Sequence, residues 1–377
     1  MSEKEQGNLK INIFKKLFLF CICQFVAACA PFGADIDKEI LTKYTESKQF
    51  NKAKMSFENR QPELFDQMNG RWLSFDGIES MWNSSEDRDP LEILPEGKPD
   101  LKEFFRDPKE FKGIWFGHST FLLQMDGKTI LIDPIFSAGA APVNFLVPRF
   151  QSPALSLEQL PKVDFIVISH DHYDHLDFET IEYFADKATR FIVPLVLGEH
   201  LRYWGVPKER IVEKDWWESY SEGGLSFTAA PCQHFSGRGL TPNQTLWASW
   251  IIKSSKTSLY FSGDSGYDIH FKEIGERLGP FDIAFLETGQ YNRLWPEVHL
   301  MPKDGVNAFY DLRAKRYFPI HWGMFALSTH PWFEPIELIH QASKEKGFKL
   351  LSPRIGEVFG MNHPVEPWWK SVKRHAE

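Results

Sequence analysis

Nine residues, "SHDHYDHLD" at 169–177, hold three histidines and three aspartates directly after the apolar run "DFIVI". Imidazole and carboxylate are side chains that hold a borderline cation such as zinc, at about 2.0–2.2 Å from each donor atom. Residues two apart on a tight loop can offer both imidazoles to one ion, while the Asp and His that follow turn toward a second. Without cations the cluster is a liability, because unpaired charges are costly to bury. A pair of divalent ions supplies the missing counter-charge. Two ions about 3.5–4 Å apart can hold a bridging water, lower its pKa toward neutrality and polarise the oxygen on which charge builds. The expected chemistry is hydrolysis by a bridging hydroxide. No GxSxG occurs, and Cys232 stands two residues before His234, so covalent catalysis has little behind it.

The elements that must position these groups are short β-rich runs bounded by Gly, Asp or Pro: "GIWFG" (113–117), "TFLLQMDG", "KTILID", "DFIVIS", "RFIVPL", "LSFTAA", "WASWIIKS", "SLYFSG", "FDIAFLE" and "RYFPI" (316–320). Helical candidates lie between and after them: "DFETIEYFADKA", "PLVLGEHLRYWG", "PKDGVNAFYDLRA" and "EPIELIHQASKEKG". Strands in pairs alternating with helices indicate an α/β protein with mixed sheets. Strand ends are where side chains leave the core and converge on a cleft. His170 and His172 follow one strand, His234 another and His321 a third, while Asp264 and Asp133 stand in the same relation to two more. Residues 36–111, polar and interrupted by Pro62, Pro90, Pro95, Pro99 and Pro108, read as short helices and loops rather than sheet. No internal repeat is visible.

With 42% hydrophobic residues in 377, the chain can bury one large core or two ordinary ones. A formal charge of −8 and a pI near 5.9 argue against nucleic acid as a partner. Near the N-terminus, Lys10, Lys15 and Lys16 precede the apolar run Leu17 to Ala28, the layout of a secretory signal. That run is too short to span a bilayer comfortably. "VAAC", Val26 to Cys29, resembles a bacterial lipobox, implying cleavage of residues 1–28 and lipidation of Cys29. The mature chain would keep Cys29 and Cys232 alone, so neither an internal disulfide nor a thiol-rich zinc site is expected. The expected address is the cell envelope, with a lipid anchor on the membrane surface. Ala30, rather than Asp, after Cys29 favours the outer membrane where the source is Gram-negative.

"SHDHYDHLD" also resembles the HxHxDH signature of the metallo-β-lactamase fold superfamily. "WFGHSTFLLQMDGKTILIDPIFS", "ISHDHYDHLD", "GDSGY" and "IHWGMFAL" resemble, in order and spacing, the branch containing the N-acylphosphatidylethanolamine-hydrolysing phospholipase D. The resemblance implies an αββα sandwich of two mixed sheets flanked by helices over 111–377, preceded by an accessory segment, 29–110. It places His170, His172 and His234 on one metal, Asp174, His175 and His321 on a second, and Asp264 on both. His299 matches a histidine on the substrate side. His118 is expected to be structural, behind the ligands, and Asp133 to fix a metal-bound imidazole or a turn. Asp171 and Asp177 are expected in the loop behind the ligands, and the remaining histidines in core or surface positions. The resemblance also suggests a homodimer.

Two Zn²⁺ are the default cofactors, although Mn²⁺ or Fe suits the same donors. The leading expectation is a phosphodiesterase of phospholipase D type acting on N-acylphosphatidylethanolamine or a related phospholipid, with the aromatic N-terminal segment free to supply an acyl groove. Two alternatives stand beside it. One is an envelope hydrolase of lactones, small esters or phosphodiesters; the other is a lipid-anchored binding protein whose metal site serves stability. A superfamily alone does not choose among them.

Overall fold

Alternating side chains in the apolar runs need two different surfaces to cover them. In the computed structural model, which describes residues 30–72 and 84–375, they find both. A small hairpin, β1 (Phe50–Asn51) and β2 (Ser56–Phe57), precedes a seven-stranded sheet. That sheet contains β3 (Lys112–Trp115), β4 (Phe121–Met125), β5 (Lys128–Ile132), β6 (Phe165–Val167), β7 (Arg190–Pro194) and β8 (Ile211–Lys214) in order, with the late β16 (Val358–Phe359) beside β3. A second seven-stranded sheet runs in order from β9 (Ser219–Glu222) through β10 (Leu225–Ala230), β11 (Ser249–Lys253), β12 (Ser258–Phe261), β13 (Ile283–Glu287) and β14 (Arg316–Ile320) to β15 (Lys349–Leu350). Each sheet has an antiparallel half and a parallel half, changing over at β5 in the first and β12 in the second. The topology thus repeats although no sequence repeat is visible.

Period-two alternation sorts the layers. Ile114, Leu122, Leu131, Ile166 and Phe191 face α4 (Phe178–Phe184) and α5 (Leu197–Tyr203), forming one core with Ile181, Phe184 and Leu201. The residues between them in sequence, Phe121, Leu123, Ile130, Phe165 and Val167, belong to the larger core that joins the sheets. Phe121 meets Phe285 at 4.8 Å and Phe318 at 5.0 Å between ring centres, and Phe165 meets Phe227 at 4.9 Å. At roughly 25 cal/mol per Å² of buried apolar area, such aromatic interleaving is the principal attraction between layers. The helices α6 (His270–Leu278), α7 (Pro302–Asp311) and α8 (Glu334–Lys346) add Ile274, Val306 and Ile336 to this core. The result is two mixed sheets flanked by helices.

The N-terminal segment contains α1 (Lys38–Thr42), α2 (Pro62–Trp72) and α3 (Leu101–Phe104), but the β1–β2 hairpin corrects the expectation that it holds no sheet. Its strands are two residues long, too short for a periodic signal. Ile36, Leu41, Phe50, Phe57 and Leu94 join the large core, and Phe104 the other, so this segment is packed into the sandwich. The signal-like residues and Cys29 lie outside the described residues.

Candidate metal centre

Strand ends from both sheets deliver the site. His170, His172, Asp174 and His175 follow β6; His234 follows β10, Asp264 follows β12, and His321 follows β14. Hard-to-reach backbone is used to turn them inward. His118, Asp133 and His321 all adopt left-handed φ, at 51°, 37° and 68°. Such conformations cost about 1–3 kcal/mol each unless the surroundings enforce them. Here they are enforced: the backbone N–H of His118 donates to the Trp322 carbonyl at 2.8 Å, and that of His321 to the His118 carbonyl at 3.1 Å.

One group of donors is purely imidazole. His172 Nδ1 lies 2.9 Å from His170 Nε2 and 3.1 Å from His234 Nε2. Donors held 2.0–2.1 Å from one ion are about 2.9–3.4 Å apart, so these three nitrogens match the edges of a coordination shell. Ring orientation is set from behind. His234 donates through Nδ1 to the Val298 carbonyl at 2.9 Å, and Ser169 Oγ lies 2.9 Å from His170 Nδ1. Asn59, in the N-terminal segment, exchanges two hydrogen bonds with the His234 backbone, at 2.6 and 3.1 Å.

The other group mixes imidazole and carboxylate. Asp174 Oδ2 lies 3.1 Å from His321 Nε2, 3.3 Å from His175 Nε2 and 2.9 Å from His118 Nε2. His175 is aimed by Asp133, whose Oδ2 accepts from Nδ1 at 2.7 Å. Between the groups stands Asp264, with Oδ2 3.1 Å from His321, 3.2 Å from His175, 3.7 Å from His234 and 3.9 Å from His170 Nε2. The three imidazoles of the first group, and His118, Asp174, His175 and His321 of the second, form clusters with the spacing a cation requires.

Burial makes these contacts electrically severe. Desolvation, reinforced by neighbouring imidazoles, holds His170 and His234 well below the usual histidine range and lowers His118 to about 3. Burial also opposes a charge on His175 and His321, yet Asp264, Asp174 and the carboxylates behind them win. His175 is driven well above its ordinary value and His321 to about 10. Burial resists ionisation of Asp174 and Asp264 too, but His175 and His321 hold both carboxyls well below their usual range. His175 Nε2 and Asp264 Oδ1 are buried without a hydrogen bond. Orphaned donor atoms facing a shared centre fit divalent cations.

His299 is brought to the rim, its ring 5.1 Å from that of His234 and 5.5 Å from that of His321. Its Nδ1 is bonded to Glu287, a fully buried carboxylate that also accepts from Ser265 N–H at 2.7 Å and lies 3.3 Å from His321 Nδ1. Sequence reasoning missed Glu287, although it ends the apolar run "FDIAFLE" in the same strand-end position as the ligand candidates. His118, expected behind the ligands, touches Asp174 directly and lies 4.2 Å from the His321 ring. Asp171 and Asp177 point away from the donors. Asp171 accepts from Gly237 N–H at 2.7 Å and Thr245 at 2.9 Å, while Asp177 Oδ2 accepts from the backbone of Phe136 and Ser137, both at 3.0 Å. The buried His200 receives Ala34 N–H at 3.0 Å.

Residues 128–322 match the family described as the beta-lactamase superfamily domain, and the chain belongs to that superfamily. Its fold resembles that of a metallo-hydrolase from the archaeon Ignicoccus hospitalis, with a TM-score of 0.53 and 22% identity over 66% of this chain and 97% of that one. Among curated relatives, an N-acyl-phosphatidylethanolamine-hydrolyzing phospholipase D of Caenorhabditis elegans is 33% identical over 264 residues, 65% of this chain and 74% of the relative. The outer membrane protein RomA of Klebsiella pneumoniae is 48% identical over 99 residues, 26% of this chain and 75% of that protein.

Proposed function

We propose that the protein is a metal-dependent hydrolase that cleaves the phosphodiester of N-acylphosphatidylethanolamine or a related membrane lipid in the manner of a phospholipase D. The observation that carries this reading is Asp264, one buried carboxylate standing between two donor groups. His170, His172 and His234 would hold one cation, and Asp174, His175 and His321 the other, with Zn²⁺ the default and Mn²⁺ or Fe the alternatives. Divalent cations at such a place acidify water and neutralise charge building on a phosphoryl oxygen.

The chain's own groups do the rest. Asp264 orients the attacking water. His299, held through Nδ1 by Glu287, presents Nε2 to the substrate. The rings of Phe235 and Phe65, 5.4 Å apart, extend an aromatic wall from His172 into the N-terminal segment, which suits an acyl chain and excludes water. Likeness to the nematode phospholipase D supports the lipid substrate, and likeness to RomA supports an envelope location. Lipidation at Cys29 would hold the enzyme on its substrate. Among the described residues no helix is long and apolar enough to cross a membrane.

The test is mass spectrometry of products after the zinc-loaded full chain is incubated with N-acylphosphatidylethanolamine in ¹⁸O-water, beside Asp264→Asn. Labelled phosphatidate from the parent alone is expected. A folded, metal-replete parent that forms none overturns the phospholipase reading.

A further inference from the structure

Two loops near the metal centre carry large apolar side chains where folding offers them nothing to cover. In the first, Gly139 pairs with Pro148 and Ala140 N–H donates to the Val147 carbonyl at 2.9 Å, closing a neck. The projecting tip holds Phe145 and Leu146, 77% and 60% exposed. In the second, Ser236 and Asn243 exchange hydrogen bonds of 2.9 and 3.2 Å, and Leu240 at the tip is fully exposed. Both necks are pinned, so neither tip can fold back to hide these side chains, and each leaves apolar area in water at a cost.

Between the tips runs the start of the described chain. Arg238, itself buried, donates to the Pro31 carbonyl through Nε and Nη2 at 3.1 and 2.6 Å. Its Nη1 donates at 2.7 Å to the carbonyls of both Asp171 and Leu176, which flank His172, Asp174 and His175. Trp204 adds a 2.8 Å bond to the Ala30 carbonyl. Arg238 borders two clefts, one reaching Phe32 and Leu240, the other Pro31 and Val143. The exposed Phe32, the two tips and Ala30 therefore share one face, with the metal loop beneath it.

We propose that this face, carried by Phe32, Phe145, Leu146 and Leu240, docks on a phospholipid bilayer and presents the metal loop to it. The proposal rests on the lipid-anchored phospholipase reading. The occupant is a bilayer because Ala30, the residue after the lipidation candidate Cys29, emerges on this face. Separate projecting tips also suit insertion into an acyl boundary better than the flat apposition of a second copy. Anchor, tips and substrate are then on the same side of the molecule.

The experiment places an environment-sensitive fluorophore on the full-length protein at Leu240→Cys or Phe145→Cys, with Leu338→Cys on α8 as control. Cys232 is buried, and the parent protein carried through the same labelling corrects for Cys21, Cys23 and Cys29. Vesicles of phosphatidylethanolamine and phosphatidylglycerol with brominated acyl chains should quench the probes at 240 and 145 but not at 338. Co-flotation with vesicles without quenching at 240 and 145 overturns the proposal, leaving attachment by the N-terminus alone. Burial of the probes without lipid, rising with protein concentration, overturns it in favour of self-association. The variant Phe145→Ser/Leu146→Ser/Leu240→Ser should lose about tenfold or more in turnover of vesicle lipid while keeping turnover of a soluble phosphodiester; equal losses on both would overturn a docking role. Quenching with no turnover of any diester supports docking while removing the phospholipase reading.

Discussion

The two donor groups differ more than their proximity suggests. His170 and His234 are buried and His172 half-buried, and desolvation, reinforced by neighbouring imidazoles, lowers the pKa of all three and favours their neutral forms. They are aimed by a hydroxyl and a backbone carbonyl and are ready to donate lone pairs. Asp174, His175 and His321 form a network of ion pairs in which the carboxylates hold protons on the histidines. A cation entering the first group displaces nothing; one entering the second must displace protons. The first group is preorganised for a cation, whereas the second balances its carboxylates with protons and would exchange one kind of positive charge for another.

The strongest way to break this contrast is to remove the group common to both. Asp264→Asn should lower turnover about 10³-fold or more, and metal analysis should show loss of one equivalent or both. Asp133→Asn sharpens it, because Asp133 touches His175 directly at 2.7 Å but reaches His170 only through Ser169, from whose Oγ it accepts at 2.6 Å. Chelator competition should show the second cation weakened about 10–100-fold and the first, which feels Asp133 only through Ser169, weakened much less.

Acidity separates the groups next. His321 is raised from 6.5 to about 10 on folding, so its contribution to metal-free stability is complete below about 6.5 and disappears as pH rises through about 10. Asp174 and Asp264, held low, contribute above about 3.8 and lose that contribution as pH falls. Affinity of the second cation should therefore rise about tenfold per pH unit for each proton displaced between 6.5 and 10, while that of the first stays nearly flat. Equal slopes in a metal-competition titration would remove the contrast. The smallest expected effect is that of Asn59→Ala, which frees the His234 backbone. It should weaken the first cation alone, by a few-fold, in the same assay.

Much of this candidate site was legible because metal chemistry restricts residue types and strand ends advertise themselves. The ten apolar runs all became strands, and the four periodic segments became helices. Two of the strands that escaped had weak periodicity. "IVEK" and "SYSE" form β8 and β9 at sheet edges, half in water, where polar residues erase the alternation. The helix α6 has no side-chain cap at Ile269 to announce it. Glu287 escaped for another reason: a carboxylate that positions histidines has no spacing rule of its own, and only the fold brings it beside His299. Asn59 is the extreme case, lying 175 positions from the histidine it steadies.

The placement of donors on both sheets also has a mechanical consequence. His170, His172, Asp174 and His175 belong to one layer, while His234, Asp264 and His321 belong to the other. Cations gripped by both would act as rivets through the seam of the sandwich, resisting slippage of one layer over the other. Stripping the metal would then do more than stop hydrolysis: it would leave the rim of that seam fastened by the histidine–carboxylate pairs and by backbone bonds such as those joining His118 to His321 and Trp322, and more open to shear.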